Sequence, residues 1–306
     1  MANFVMLAAC MLAGLWLRKS ARLPDNAHTV INTVILHLSL PALTLRYLHE
    51  MALDRSQLLP VLMPWMLFMV GAAVFGLVGR LLQLPASNVG ALTLVGGFGN
   101  TSFVGLPMIE TLHGRDGMSL GLLIDQLGSY LALSTLGVIA AAFYGAQGAL
   151  QPGAMLRKLL TFPPFIAMVA ALLLSPVPFP PVLREVLARI GDTLAPLALL
   201  SVGLQLRFDA LREHRRLLAI GLFYKLVVCP ALVLLLVLQT DVGRQAAAHV
   251  TVLEAAMPPM IGAAIIASQA NLAPRLVSMM VGLGIPLSFV TVPTWHWLFA
   301  VSAALP

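Results

Sequence analysis

The polar residues best suited to chemistry lie in a glycine-rich segment inside a long apolar stretch. Residues 96–107 read GGFGNTSFVGLP, so four glycines and three hydrogen-bonding side chains precede a proline. Another apolar stretch contains the pair Pro258-Pro259. Proline removes a backbone hydrogen bond from a helix, and a bilayer tolerates the freed polar groups only against protein or a water-filled cavity. These positions therefore predict two interrupted helices that cross at mid-membrane.

The interrupted helices predict a binding site for an anion. Each second half-helix should begin at its proline, with free N–H groups and the positive end of the helix dipole pointing at the break. Two such ends in one cavity favour a bound anion. The simpler alternative is a proline kink with glycines for close packing. The expected substrate-binding residues are Asn100, Thr101, Ser102, Gly105, Pro107, Pro258, Pro259 and Met260.

Ionisable residues at membrane depth are candidates for function. We expect Asp125, Gln126 and Glu254 to bind a coupling ion, H+ or Na+, or to orient the substrate. Lys225 also lies in an apolar stretch, where snorkelling or a salt bridge inside the bundle is the simpler interpretation. No other cofactor and no metal site is expected, because no cluster of ligating residues has the required spacing.

The composition indicates what must position these residues. Of 306 residues, 59% are hydrophobic and 10% are charged, against about 45–50% and 25% in soluble domains. This excludes a cytosolic enzyme, a disordered tail and a secreted disulfide scaffold. The basic residues are scattered, so no nucleic-acid partner is expected. The composition is typical of a multi-pass membrane protein that resides in a lipid bilayer.

Hydropathy predicts an all-α integral membrane protein with ten transmembrane helices. The expected spans are about 2–18, 27–48, 59–82, 86–112, 118–143, 158–175, 183–206, 215–238, 245–270 and 275–303. With the N-terminus outside, the inner loops carry eleven basic residues and the outer loops six. The positive-inside rule then places both termini outside the cytoplasm.

Matching motifs predict two inverted five-helix repeats. Three pairs stand at nearly one offset: Pro41 and Pro196 (155 positions), Pro107 and Pro259 (152), and Ser134 and Ser288 (154). Because five crossings is an odd number, the second repeat must enter from the opposite side. The predicted domains are residues 1–143, a cytoplasmic linker at 144–157, and residues 158–306.

The sequence resembles the auxin efflux carrier family, in its short bacterial form, over essentially the whole chain. The motifs that carry the resemblance are LPAL at 40–43, GNTSFVGLP at 99–107, the proline-paired segment 159–173, APLALLSVG at 195–203 and EAAMP at 254–258. The resemblance implies a fold similar to sodium–proton antiporters and bile-acid symporters. It also implies transport of organic anions: malonate, malate or other carboxylates in bacteria, and indole acetate in plants.

In this family the substrate binds beside the proline crossover, and an asparagine of the GNTSFVGLP motif contributes to the binding. The resemblance therefore implies this role for Asn100. Two departures leave the substrate and the coupling open. Phe162-Pro163 stands where Asn-Pro is common, and Gln269-Ala270-Asn271 replaces the usual Tyr-Gly pair.

These observations together predict a secondary active transporter of a small mono- or dicarboxylate in the cell inner membrane, and not an enzyme. Spans 4, 5, 9 and 10 would form a mobile core for an elevator-type movement. Spans 2 and 7 would form the scaffold and a homodimer surface. A sodium–proton exchanger of similar fold would want paired acidic residues at the crossover, and no Asp-Asp pair is present. A membrane sensor that binds its ligand without moving it stays open.

Overall fold

The regular secondary structure is helical throughout the described residues, apart from one isolated β-bridge. The computed structural model describes residues 2–20, 22–52, 54–114, 116–145, 152–206, 214–239 and 246–303. Six helices are long and apolar enough to cross a membrane: Ala27–Leu48, Arg55–Leu81, Met118–Tyr144, Pro181–Gln205, Arg215–Leu238 and Pro274–Ser302. The prediction of an all-helical membrane protein is thus confirmed.

Shorter helices occupy the remaining predicted spans. They are Ala2–Lys19, Ala86–Gly96, Thr101–Gly105 continuing into Leu106–His113, Pro152–Leu160, Pro163–Leu174, Ala246–Ala255 and Ile261–Gln269. Ten crossings, their orientation and the inverted repeat stay predictions. Residues 146–151 of the predicted linker lie outside the described residues.

The chain forms two compact units, and each draws segments from both halves of the sequence. The first unit comprises Met1–Asp54, Ser102–Leu122 and Gly153–Leu206. The second unit comprises Arg55–Thr101, Leu123–Pro152 and Arg207–Pro306. The compact units are therefore not the two predicted sequence repeats.

Small residues bring two helices of the first unit together. Helix Ala2–Lys19 packs against the segment Leu194–Gln205. A Cβ atom added to Gly14 would lie 3.0 Å from the Cα of Gly203, so neither position has room for a side chain. Close backbone approach of this kind is how helices associate in lipid, where no hydrophobic force drives them together.

Polar pairs hold the second and seventh predicted spans together in the same unit. The hydroxyls of Ser39 and Thr193 are 2.8 Å apart, and Arg46 pairs with Asp192 at 3.1 Å. Ser39 and Thr193 are 154 positions apart, the spacing of the repeat motifs. The first unit thus links residues from the two halves of the sequence.

Prolines in this chain widen helices as well as interrupting them. The π-helical turns Ile35–Ser39, Thr101–Gly105 and Tyr224–Val228 each end two residues before a proline. A proline has no N–H to donate and its ring clashes with the carbonyl four residues earlier. A wider turn relieves that clash and leaves carbonyl groups that other donors can reach.

Two tryptophans supply such donors in the second unit. The Trp65 indole donates to the Leu127 carbonyl at 3.1 Å, inside the π-helical segment Ile124–Tyr130. The Trp295 indole donates to the Leu226 carbonyl at 2.9 Å, inside the segment Tyr224–Val228. These two segments also carry Asp125 and Lys225, so each tryptophan bonds to the backbone of a segment that contains a charged residue.

Candidate functional site

The first broken helix stops at Gly96 and restarts at Thr101. The break therefore lies at residues 97–100, which is N-terminal to the position predicted from Pro107. Pro107 is inside the helical part, following the π-helical turn Thr101–Gly105. The expectation that the second half begins at Pro107 is wrong, because the glycines end the first half before the proline is reached. The Thr101 N–H, at the start of the restarting helix, donates to the Gly99 carbonyl at 3.0 Å.

The second broken helix is interrupted at its prolines as predicted, but its second half does not begin at a proline. Helix Ala246–Ala255 ends shortly before Pro258-Pro259, and the next helix begins at Ile261. Pro258 and Pro259 thus occupy the break itself. Met260 is the residue that caps the restarting helix.

Backbone hydrogen bonds join the two breaks within the second unit. The Asn100 N–H donates to the Pro258 carbonyl at 2.7 Å, and the Met260 N–H donates to the Phe98 carbonyl at 3.1 Å. Gly99 and Pro259 form an isolated antiparallel bridge between these bonds. The crossover is therefore a short strand pairing, which satisfies polar groups that a broken helix would leave open.

Asp125 is tied to the restarting end of the first broken helix. Its carboxylate accepts a hydrogen bond from the Thr101 hydroxyl at 2.6 Å, a length typical of a bond to a charged acceptor. Asp125 is 2% exposed and Gln126 is fully buried. The structure thus brings Asp125, proposed as a coupling residue, to Thr101, proposed as a substrate-binding residue.

Lys225 extends into the same region, which the sequence did not predict. Its side chain is 1% exposed, and its amine donates to the Ala255 carbonyl at 2.8 Å. Ala255 ends the first half of the second broken helix, where the dipole is negative and a cation is favoured. A Cβ atom on Gly99 would lie 3.1 Å from the Lys225 amine. Lys225 is therefore a buried cation at the crossover and does not snorkel to the membrane surface.

The second unit contains buried groups with unmet hydrogen-bonding capacity. Glu254 is 1% exposed, and in the described part of the chain neither of its carboxylate oxygens has a hydrogen-bond partner. Among the same residues the hydroxyls of Thr93 and Ser129 are also buried and unpartnered. Thr93 and Ser129 belong to the π-helical segments Leu92–Gly96 and Ile124–Tyr130. Thr93 was missed by sequence reasoning, because one threonine in an apolar run carries no signal.

The predicted site residues divide between the two compact units. Those in the second unit are Asn100, Thr101, Asp125, Gln126, Glu254, Pro258, Pro259 and Met260. Ser102, Gly105 and Pro107 belong to the first unit. The crossover of the second unit therefore includes most of the predicted set, with Lys225 added.

Comparisons with known proteins agree with a role in transport. The family model described as membrane transport protein matches residues 1–147 and 150–296. An uncharacterized transporter of Methanothermobacter thermautotrophicus is 25% identical over 289 residues, covering 93% of both chains. An uncharacterized transporter of Methanocaldococcus jannaschii is 22% identical over 298 residues, covering 94% of this chain and 95% of its own. The protein belongs to the membrane transport protein family, the auxin efflux carrier family that its motifs resemble.

Proposed function

We propose that this membrane transporter is a secondary carrier of a small organic anion, with the carboxylate held at the crossover of its two broken helices. One observation supports this proposal most strongly. Backbone hydrogen bonds join the two helix breaks, two helices begin at this point, and the buried Lys225 amine lies beside it. Helix N-termini and an ammonium group all favour negative charge. The buried hydroxyls of Thr93 and Ser129 add donors.

The family resemblance gives the substrate class: mono- or dicarboxylates such as malonate, malate or an auxin-like acid. The proposal includes an elevator-type movement, in which the second unit acts as the mobile core and the first as the scaffold. It also includes a homodimer formed through predicted spans 2 and 7, in the inner membrane with both termini outside.

The first experiment is a thermal-shift screen of mono- and dicarboxylates on purified protein. The best stabiliser, radiolabelled, is then measured for counterflow in proteoliposomes. Counterflow requires that the same protein carries substrate in both directions, so a sensor that only binds its ligand would show none. Absence of counterflow for every stabilising acid would overturn the proposal.

Asn100→Ala tests the site directly. The bond to Pro258 uses the Asn100 main chain and survives the change. We expect uptake to fall at least tenfold while the melting temperature stays near wild type, because one or two hydrogen bonds to a charged group are worth about 1.5–3 kcal/mol each. Asn26→Ala, at an exposed asparagine, is the matched control. Wild-type uptake by Asn100→Ala would contradict the assignment.

A sodium–proton exchanger is the second candidate, because two carboxylates, Asp125 and Glu254, interact electrostatically in the second unit. The two functions differ in what drives proton movement. An exchanger moves protons in response to a sodium gradient without any carboxylate present. A pH-sensitive dye inside proteoliposomes distinguishes them, and the carrier proposal expects no sodium-driven signal.

A further inference from the structure

Glu254 is an unexplained buried charge in the crossover. It lies one residue before the end of helix Ala246–Ala255, and both its oxygens lack hydrogen-bond partners among the described residues. Its immediate neighbour Ala255 already accepts the Lys225 amine. An ionised carboxylate without hydrogen bonds is very costly away from water, even with a charge of opposite sign nearby. The site is therefore built for a positively charged species that occupies it during part of the transport cycle.

The charges around Glu254 can be counted. Asp125 from helix Met118–Tyr144 and Lys225 from helix Arg215–Leu238 both interact electrostatically with it. Cys229 lies beside Lys225 and is neutral as a thiol. With both carboxylates ionised, these groups carry a net charge of −1. A net negative charge opposes the entry of an anion into a low-dielectric site.

Other helices that pack against Ala246–Ala255 do not change this count. The long helix Arg55–Leu81 has basic residues only near its ends, at Arg55 and Arg80. Helix Pro274–Ser302 brings His296, whose ring stacks on His249 at 4.6 Å. His249 is five residues before Glu254, roughly 7.5 Å along the helix axis.

A proton fits this site better than a metal cation. Metal cations of the oxygen-binding class need several oxygen ligands at once, whereas a proton needs one carboxylate oxygen. The ammonium of Lys225 lies on the carbonyl next to Glu254, and it would repel a second full cation held nearby. One added proton brings the three charged groups to zero and removes the barrier to an anion.

We infer that Glu254 is a proton-binding site, which takes up one proton for each substrate anion that binds at the crossover and carries it across the membrane with the anion. A carboxyl O–H bond forms with a proton from water on the loading side and breaks on the releasing side. This inference rests on the proposed function, and it deepens that function by naming the coupling ion and its residue.

The test needs no substrate. Infrared spectra of the purified protein, titrated from acid to alkaline pH, report the carbonyl stretch of protonated carboxyl groups. We expect a titrating band in the wild type that is absent from Glu254→Gln. Glu185→Gln is the matched control, since Glu185 lies on the surface in an ion pair with Arg189, and it should leave the band of Glu254 in place.

A band that is unchanged in Glu254→Gln overturns the inference. A second result would also overturn it: a melting temperature of the wild type that is higher in sodium salt than in choline salt, with no such difference in Glu254→Gln. That result would assign the site to sodium. If Glu254→Gln does not fold, Glu254→Asp serves instead: it keeps a carboxyl group in a new environment and should shift the band, and an unshifted band overturns the inference.

Transport separates this inference from the proposed function. If the protein shows carboxylate counterflow but no infrared band that depends on Glu254, the proton-site inference is wrong and the proposed carrier function stands. If the Glu254 band is present but no acid shows counterflow, the proposed carrier function is wrong and the proton-site inference stands.

Discussion

The main-chain N–H of Asn100 donates to the carbonyl of Pro258 at 2.7 Å and thereby joins two helix breaks from opposite halves of the chain. This bond fixes where the restarting helix ends lie relative to each other. Thr101, one residue on, bonds to Asp125. One covalent step and one hydrogen bond therefore connect Asn100 to Asp125, and one further hydrogen bond connects Pro258 to the same path.

Gly99→Ala should weaken carboxylate binding while the protein still folds. The added methyl carbon would lie 3.1 Å from the Lys225 amine and 3.4 Å from the Glu254 carbonyl oxygen, so the amine has to shift by a few tenths of an ångström from its position on Ala255. Gly76→Ala is the control, because no described atom lies within 4 Å of its new methyl group. Thermal shift with the best-stabilising acid measures the effect. An equal ligand response in both variants would show that the position of Lys225 is unimportant.

Thr101→Val should lower the free energy of unfolding by about 1.5–3 kcal/mol, the usual contribution of a hydrogen bond to a charged group. The variant keeps the shape of the side chain and removes the 2.6 Å bond to Asp125. Thr294→Val removes an exposed hydroxyl that bonds only within its own helix, and it should change stability by less than about 0.5 kcal/mol. Melting in detergent checks both. Equal melting temperatures would mean that the Asp125 bond adds no stability.

The sequence predicted the crossover better than it predicted its details. Prolines and glycines in apolar stretches indicated two interrupted helices, and both interruptions are present. The prediction put the first break too close to Pro107, because both glycines and a proline can interrupt the helix there. The glycines at 96–99 end the helix first, and Pro107 then acts only on a continuing helix, where it follows a widened turn.

The position of Lys225 could not be read from local pattern. A lysine in an apolar span indicates either snorkelling or a salt bridge inside the bundle, and the pattern along one helix does not identify the partner helix. Its bond to Ala255 depends on packing between two helices that are separate in sequence. The available signal was the charge count: Asp125, Glu254 and Lys225 all lie in apolar spans, and buried charges of opposite sign are expected to pair.

Gly203→Ala should destabilise the first unit without acting on the crossover. A methyl group at this position would collide with the main-chain oxygen of Met11, and backbone cannot rotate away as a side chain can. Overpacking of this kind costs about 1–3 kcal/mol. Gly153→Ala, whose added methyl group meets no described atom within 4 Å, is the control. A melting temperature of Gly203→Ala equal to that of the control would refute the close helix contact.

Lys225→Met should strongly destabilise the protein. The change removes the donor to the Ala255 carbonyl and leaves the buried Glu254 without its cation. Removing one partner of a buried charged group typically costs about 3–5 kcal/mol. Lys19→Met, at an exposed helix end, should melt like the wild type. If Lys225→Met also melts like the wild type, the ammonium does not stabilise the crossover.

Asp125→Asn should uncouple carboxylate uptake from the pH gradient. The amide oxygen of asparagine can still accept the Thr101 hydroxyl, so the change removes charge and little else. Glu254 and Lys225 then neutralise each other without a bound proton, and an anion no longer needs one to enter. Initial uptake rates in proteoliposomes, at fixed internal and varied external pH, measure the coupling, with the exposed Asp25→Asn as control. An Asp125→Asn rate that rises with external acidity as steeply as the wild-type rate would remove Asp125 from the coupling mechanism.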